Sequence, residues 1–204
     1  MGIIEVLVIG YAINRFMQPT KQDFIKHVKK WEGGKSRATT DTASRYGGPG
    51  GVHTNKGITW ATYKGSAKSC GYVPTGNDFL EMSDKRWEQI FDKRYWNYWQ
   101  GDKLMLRSPF LAFYVVQFAW GFGNSGAERR LANFQRQYMG IKDSDITPNE
   151  IVRNFMTTPI PIKILAVQLI SYKESVFRSL GQPANIKGWL NRLADFKKNF
   201  LPTA

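Results

Sequence analysis

Glu32 has the setting of a catalytic acid. It lies at the end of an amphipathic stretch and is followed at once by Gly33 and Gly34. Glycines end helices readily, so a carboxyl group here would sit where a helix gives way to a loop and can face a cleft. Desolvation raises the pKa of a carboxyl group, and a general acid must hold its proton at working pH. Glu32 is therefore the first candidate for proton transfer.

A second reactive group has several candidates in the next stretch. Asp41 is the only acidic residue between Lys35 and Lys56, so it is the natural partner if the chemistry needs two carboxylates. That stretch is rich in Thr, Ser, Gly and Arg, and a long loop inside a compact domain is usually functional or disordered. Thr54 and Thr59 offer hydroxyls that could orient water instead. Their alternatives are a hydrogen bond that orders the loop and an N-cap, respectively.

An amphipathic helix must position Glu32. Thr20 and Asp23 have the spacing of a capping box. The apolar residues that follow recur at the 3.6-residue period of one helix face, at Phe24, Ile25, Val28 and Trp31. The two glycines end this helix, so Glu32 falls in its last turn, where the helix dipole disfavours a carboxylate. An acid placed against a local preference indicates a functional site, although a solvated surface glutamate fits the position as well.

The remaining patterns are helical. N-cap signals precede four further helices, at Thr59, Ser83, Ser108 and Thr147. The run from Phe110 to Phe122 is apolar on nearly every side, which is typical of a central buried helix. Further helices end at Gly140 and Gly181, and the last is striped by Trp189, Leu193, Phe196 and Phe200. The predicted fold class is all-α, with a glycine-rich loop or small β-hairpin beside Glu32.

The chain length of 204 residues fits one domain or two small lobes. We predict an apolar segment at 1–19, a lobe with the candidate acid at 20–103, and a helical lobe at 104–204 packed with it as one domain. The first segment is too short to span a bilayer and lacks the positive region and cleavage site of a signal peptide. We expect it to pack on the domain, with membrane association or export as the alternative.

The formal net charge is +13, which indicates an anionic partner such as nucleic acid, anionic lipid or an acidic polysaccharide. Cys70 is the only cysteine, so an intrachain disulfide is excluded and zinc would lack thiolate ligands. With only His27 and His53 besides, a metal centre is not expected. The sequence carries no helix-turn-helix, RNA-recognition or zinc-finger pattern, so charge alone supports nucleic-acid binding.

Two motifs together resemble glycoside hydrolase family 108, whose members are N-acetylmuramidases of phage endolysins and of bacterial secretion or release loci. The family's E-G-G and G-G-x-T-x-x-G-I-T patterns correspond to Trp31-Glu32-Gly33-Gly34, Gly50-Gly51 and Thr54-Asn55-Lys56-Gly57-Ile58-Thr59. The second half is similar to the helical, predicted peptidoglycan-binding region that accompanies the domain, through Gln117-Phe118-Ala119-Trp120, Leu131, Phe134-Gln135 and Gly188-Trp189-Leu190-Asn191-Arg192-Leu193. The chain departs from the pattern in its longer loop after Glu32. It also has Gln117, Ala119 and Gly121 where the family often has Asp-x-Ala-x-Asn.

The resemblance implies a lysozyme-like fold and cleavage of the β-1,4 bond between N-acetylmuramic acid and N-acetylglucosamine in peptidoglycan. Such hydrolysis needs an acid on the leaving oxygen and a second group that stabilises the oxocarbenium ion or positions water. Glu32 would be the acid, with Asp41 or Thr54 as the second group. Candidate substrate contacts are His53, Asn55, Thr59, Trp60, Tyr63 and Trp120, with Trp96 and Trp99 as further stacking platforms. The alternatives are a surface histidine at position 53 and core packing for the aromatic rings.

We expect the glycan strands of peptidoglycan as the partner, no cofactor or metal, no nucleic acid, no stable membrane insertion and a monomeric protein. Its site of action would be the bacterial wall, on the periplasmic or extracellular side, reached by phage lysis, a virion or a secretion route. Three other functions stay open. They are a lytic transglycosylase that also works with one glutamate, a non-catalytic wall-binding structural protein, and a basic nucleic-acid-binding protein.

Overall fold

The structure is a computed structural model and describes residues 18–39, 44–45, 47–143 and 146–202. The predicted apolar segment, apart from residues 18 and 19, and Asp41 lie outside the described residues. Helices dominate the rest, so the all-α, lysozyme-like class predicted from the sequence is confirmed. Within the described ranges, no helix combines the length and the apolar character that a membrane crossing requires.

The first helix, α1 (Lys21–Trp31), leads directly to Glu32. The Thr20 hydroxyl accepts a hydrogen bond from the Asp23 N–H, and the Asp23 carboxylate accepts one from the Thr20 N–H, so the predicted capping box forms. The apolar face packs inward, with Trp31 half-buried at its end. Glu32 is the C-cap residue, with φ −90° and ψ 123°, and not a member of the last turn as predicted. Because its backbone is extended, its side chain leaves the helix surface.

A small antiparallel sheet follows α1, and it contains the β-hairpin that the sequence predicted. Its strands β1 (Lys35–Ser36), β2 (Thr54–Asn55) and β3 (Ile58–Thr59) lie in the order β1-β2-β3. Two residues, Lys56 and Gly57, join β2 to β3 with φ values of 47° and 77°. Positive φ at both turn positions is the hairpin geometry that glycine favours. This turn brings Gly57 against the end of α1.

The other helices are α2 (Trp60–Cys70), α3 (Gly76–Leu80), α4 (Asp84–Phe91), α5 (Gly101–Arg107), α6 (Pro109–Phe122), α7 (Asn124–Met139), α8 (Pro148–Thr157), α9 (Ile162–Ser179) and α10 (Pro183–Phe200). A 3₁₀ turn at Pro49–Gly51 lies between β1 and β2, and a π turn at Asp92–Trp96 lies between α4 and α5. The hydroxyls of Thr59, Ser83 and Thr147 accept capping hydrogen bonds, as predicted. Ser108 occupies the N-cap position, but its side chain makes no capping bond.

Helix α6 is the buried centre of the molecule, and nearly every residue from Phe110 to Ala119 is inaccessible. Phe24 of α1 stacks on Phe113 of α6 with ring centroids 4.7 Å apart. Phe196 of α10 packs on Phe110 at 5.7 Å. One hydrophobic cluster therefore runs through both predicted lobes, and it holds the first and the last described helices on the same central helix.

Candidate active site

A cleft opens between α1, α6, α9 and α10, with an empty volume of about 760 Å³ including its mouth. The side chains that line it are His27, Val28, Trp31, Glu32, Gln117, Trp120, Gly121, Phe122, Lys173, Phe177, Trp189, Arg192 and Leu193. Its walls therefore come from both ends of the described chain.

Glu32 projects into this cleft with 12% of its side chain exposed. Its Oε1 accepts a hydrogen bond from Trp120 Nε1 at 3.0 Å and another from Arg192 Nη1 at 3.2 Å. Its Oε2 lies against Gly57, where a Cβ atom would stand only 2.3 Å from that oxygen. The glycine of the G-I-T motif is thus required by the close approach of the carboxyl group as well as by its positive φ.

The two oxygens of Glu32 differ in their surroundings. Oε1 receives both donors, whereas Oε2 accepts no hydrogen bond from the residues that the structure describes. A proton on Glu32 would therefore reside on Oε2, because Oε1 already faces two N–H groups. The carboxyl group is held in one orientation by α6 and α10, which is the requirement for a positioned acid.

A buried lysine lies at the floor of the cleft. Lys173 of α9 is 4% exposed, and its Nζ donates a hydrogen bond to Gln117 Oε1 at 2.8 Å. Burial lowers the pKa of Lys173 to about 7. Gln117 also lies 3.4 Å from His27, measured from Nε2 to Nε2. The floor is thus a chain of polar contacts that runs from α9 through α6 to α1.

His27 continues this chain to α10. Its Nδ1 lies 3.5 Å from Asp195 Oδ2, an oxygen that also accepts hydrogen bonds from Trp31 Nε1 at 2.6 Å and Lys30 Nζ at 2.9 Å. Burial lowers the pKa of His27 to about 4, and the neighbouring Asp195 opposes this shift only in part. The imidazole is therefore neutral near pH 7. In that state Nδ1 can donate to Asp195 while Nε2 accepts from Gln117.

The polar candidates of the hairpin region have partners of their own. His53 is 3% exposed, with Nε2 3.1 Å from the Ala38 carbonyl and Nδ1 2.9 Å from the Thr54 hydroxyl. Asn55, also 3% exposed, donates through its amide to the Phe79 carbonyl at 2.7 Å. None of these three side chains is among the residues that line the described cleft. Their contacts order the hairpin that carries Gly57.

The remaining candidates fall into two groups. Thr59 caps α2 by accepting from the Thr62 N–H at 3.0 Å, while Trp60 and Tyr63 stack at 5.8 Å and pack against Phe79. These side chains, like the buried Trp96 and Trp99, do not line the cleft, whereas Trp120 lines it and donates to Glu32. Substrate binding by Thr59, Trp60 and Tyr63 stays a prediction, as does any role of Asp41.

Sequence reasoning missed Lys173, His27 and Asp195, and it quoted Arg192 only within a motif. A signal for Lys173 exists, because Leu165, Leu169 and Lys173 recur at four-residue spacing on one apolar face of α9. A lysine in such a stripe is rarely buried without a reason. Separately, no group of three or more His, Cys, Asp or Glu side chains in the described ranges is placed to hold a metal ion.

Comparison with known proteins agrees with the motifs. Residues 25–123 match the family model described as glycosyl hydrolase 108. That range contains Glu32, Gly57, Gln117 and Trp120 but ends before α9 and α10. The fold is similar to the solved structure of Brucella abortus SagA, with a TM-score of 0.61 and 23% sequence identity over 88% of this chain and 94% of that chain. No curated protein matches the sequence.

Proposed function

We propose that this chain is a peptidoglycan hydrolase of the glycosyl hydrolase 108 family and that it cleaves the β-1,4 bond between N-acetylmuramic acid and N-acetylglucosamine with Glu32 as the general acid. The observation that carries the proposal is the setting of Glu32. Its carboxyl group is fixed by Trp120 and Arg192 and pressed against Gly57 at the wall of a cleft.

The proton balance of the reaction follows from that setting. Glu32 donates the proton on Oε2 to the glycosidic oxygen as the bond from this oxygen to C1 of N-acetylmuramic acid breaks. Glu32 becomes a carboxylate, and its new charge is stabilised by the Arg192 guanidinium and the Trp120 indole N–H. These donors are already in place, so the transition state gains their stabilisation without rearrangement. Water then adds to C1 and releases one proton to a base.

We infer that Glu32 is the one indispensable carboxylate. It is the only carboxyl group among the described residues that line the cleft, since Asp195 is held behind Trp31 and His27. Asp41 would then have a supporting role in the long loop. Thr54, whose hydroxyl contacts His53, is the better candidate for a group that orders the water or the hairpin beside Glu32.

The second half of the chain belongs to the same functional unit in this proposal. Arg192 of α10 contacts Glu32 directly, and the rings of Trp189 and Phe177 form an aromatic wall, tilted by 31° with centroids 5.4 Å apart. Aromatic faces of this kind suit the apolar faces of sugar rings. The net charge of +13 suits the anionic bacterial wall, where the enzyme would act after phage lysis, virion entry or secretion.

Glu32→Gln tests the proposal. The amide is isosteric but cannot donate a proton at the required acidity, so hydrolysis of purified wall should fall on the order of 10²-fold or more while the melting temperature is unchanged. Glu174→Gln is the matched control, because Glu174 lies on the outer face of α9 and pairs with Arg178. Clearance by Glu32→Gln at near wild-type rate, with the control also active, would refute the assignment.

A lytic transglycosylase is the second candidate, because the single carboxyl group in the described cleft lining fits an enzyme that needs one glutamate. The two reactions leave different ends on the glycan. Hydrolysis gives a reducing N-acetylmuramic acid, whereas transglycosylation gives its anhydro form. Mass spectrometry of the released muropeptides distinguishes them, and anhydro products alone would replace hydrolysis by transglycosylation.

A further inference from the structure

We propose that Lys173 forms a carboxylate-binding subsite at the floor of the cleft, so that the enzyme recognises an acidic group on the glycan and not the sugar backbone alone. The inference rests on the proposed function and names the feature of the substrate that this part of the cleft selects. It concerns α9 and α6, away from the Glu32 oxygens that carry out the proton transfer.

The first argument is the way in which the Lys173 ammonium group is held. Its Nζ lies 5.2 to 6.0 Å from the ring centroids of Phe118, Tyr114, Phe177 and Phe196. The aromatic faces stabilise a cation, and they also exclude water from most of it. Gln117 Oε1 accepts a hydrogen bond from one of the three N–H groups of Lys173. No carboxylate of the described residues forms an ion pair with it, so two donors are left for a ligand.

The second argument is energetic. Burying an ammonium group without a counter-ion is unfavourable, and the lowered pKa of Lys173 reflects that penalty. A methionine or leucine would fill the same aromatic pocket without it. A buried charge that the fold does not need is expected where a ligand supplies the opposite charge, and Lys173 is among the side chains that line the cleft.

The third argument is the charge of the lining. Glu32 is the only described acidic side chain there, and its Oε1 contacts Arg192 and not Lys173. His27 is neutral near pH 7 because its pKa is lowered to about 4. Lys173 is therefore a cation of the described lining that contacts no carboxylate of the described residues. A ligand carboxylate at this position would give Lys173 the opposite charge that the described residues do not supply.

Peptidoglycan offers that carboxylate in two forms. The lactyl group of N-acetylmuramic acid carries a free carboxylate once the stem peptide has been removed, and the stem peptide itself carries carboxylates when it is present. Chitin-type oligosaccharides carry neither. Both sources share the chemistry that a buried ammonium group recognises, so the ligands of the test must separate them.

Binding measured by calorimetry at pH 6 tests the proposal in the Glu32→Gln background, where ligands are not hydrolysed. The ligands are a tetrasaccharide of alternating N-acetylglucosamine and N-acetylmuramic acid with free lactyl carboxylates, its lactyl methyl ester, the same tetrasaccharide with stem peptides, and chitotetraose. We expect Kd for at least one carboxylate-bearing ligand to be about tenfold or more below that of the ester and of chitotetraose.

Two substitutions should abolish this preference by different routes. Lys173→Met removes the charge, whereas Gln117→Glu keeps Lys173 and gives it a carboxylate where Gln117 Oε1 now lies, 2.8 Å from Nζ. Lys163→Met, at an exposed lysine near the start of the same helix, is the control and should retain the preference. A preference shown only by the peptide-bearing ligand, and lost in both variants, would assign the carboxylate to the stem peptide.

Several outcomes would overturn the subsite. One is equal affinity for the acid, the ester and the peptide-bearing ligand. Another is a preference that survives in both Lys173→Met and Gln117→Glu, which would assign recognition to another cation such as Arg192. If all four ligands fail to bind, the proposed function fails with it. If they bind without discrimination while Glu32→Gln still abolishes hydrolysis, the function stands and only the subsite is refuted.

Discussion

Gly57→Ala should separate the contribution of the hairpin turn to stability from its contribution to catalysis. An alanine at φ 77° costs roughly 1–2 kcal/mol of backbone strain. Its methyl group would also lie 2.3 Å from Glu32 Oε2 and 2.6 Å from Cδ, against an ordinary contact of at least 3.4 Å. The carboxyl group or the turn must therefore move by about 1 Å, and a displacement of that size at a reacting group can cost 10²-fold in rate.

Gly71→Ala is the matched control. Gly71 caps the end of α2 with φ 66°, and a Cβ atom there would meet nothing within 4 Å. The two variants therefore share the backbone penalty, while only the change at position 57 disturbs Glu32. Chemical unfolding should show a loss of roughly 1–2 kcal/mol in Gly71→Ala and at least as much in Gly57→Ala, where the contact with Glu32 adds to the backbone strain.

The assay is clearance of purified wall, with release of soluble muropeptides as a second readout. We expect Gly71→Ala to hydrolyse at the wild-type rate and Gly57→Ala to be slower by on the order of 10²-fold. If the two variants are equally active at equal stability, the close approach between Gly57 and Glu32 does not position the acid.

Trp120→Phe keeps an aromatic ring but removes the N–H that contacts Glu32 Oε1, so kcat should fall about tenfold while KM changes little, and steady-state kinetics on a soluble muropeptide measure both. Burial lowers the pKa of Lys173 to about 7, so above that pH the native state binds fewer protons than the unfolded chain. The cost of burying the ammonium group therefore falls as the pH rises. Lys173→Met, which removes this cost, should stabilise the fold by roughly 2 to 3 kcal/mol more at pH 6 than at pH 9. Unfolding at the two pH values measures this difference, and an equal gain at both would contradict it. Asp41→Asn should lower activity modestly together with the melting temperature, whereas Thr54→Val should be the more damaging change. An Asp41→Asn protein of normal melting temperature without activity would reverse that order.

Local features of the fold were predictable because their causes lie within a few residues. Short patterns predicted the capping box of Thr20 and Asp23, the N-cap of Thr59 and the end of α1 before its two glycines. The structure contains all three features. Helices α3 and α5, of five and seven residues, were not predicted, because such short helices carry little periodicity of their own.

The site was predictable only in part, because its contacts join residues that are far apart in the chain. Glu32 was identifiable as a candidate from its glycines, and Trp120 was a candidate for sugar stacking, whereas the structure shows its indole donating to Glu32. Arg192 lies 160 residues from Glu32 in the sequence, and no periodic pattern indicates that two residues so far apart are in contact. Gln117 was noted as a departure from the family pattern, but its contact with Lys173 required the packing of α6 against α9.

The side-chain contacts between α10 and the end of α1 have a consequence for the order in which the cleft forms during synthesis. Arg192 contacts Glu32, and Asp195 contacts Lys30, Trp31 and His27, so the last described helix completes the cleft that the first one begins. A ribosome releases α10 only after every other described element has emerged. The nascent chain therefore lacks the complete cleft until α10 has emerged. A protease that cuts at the exposed Gly181 between α9 and α10 would leave side-chain packing alone to hold α10 against the cleft.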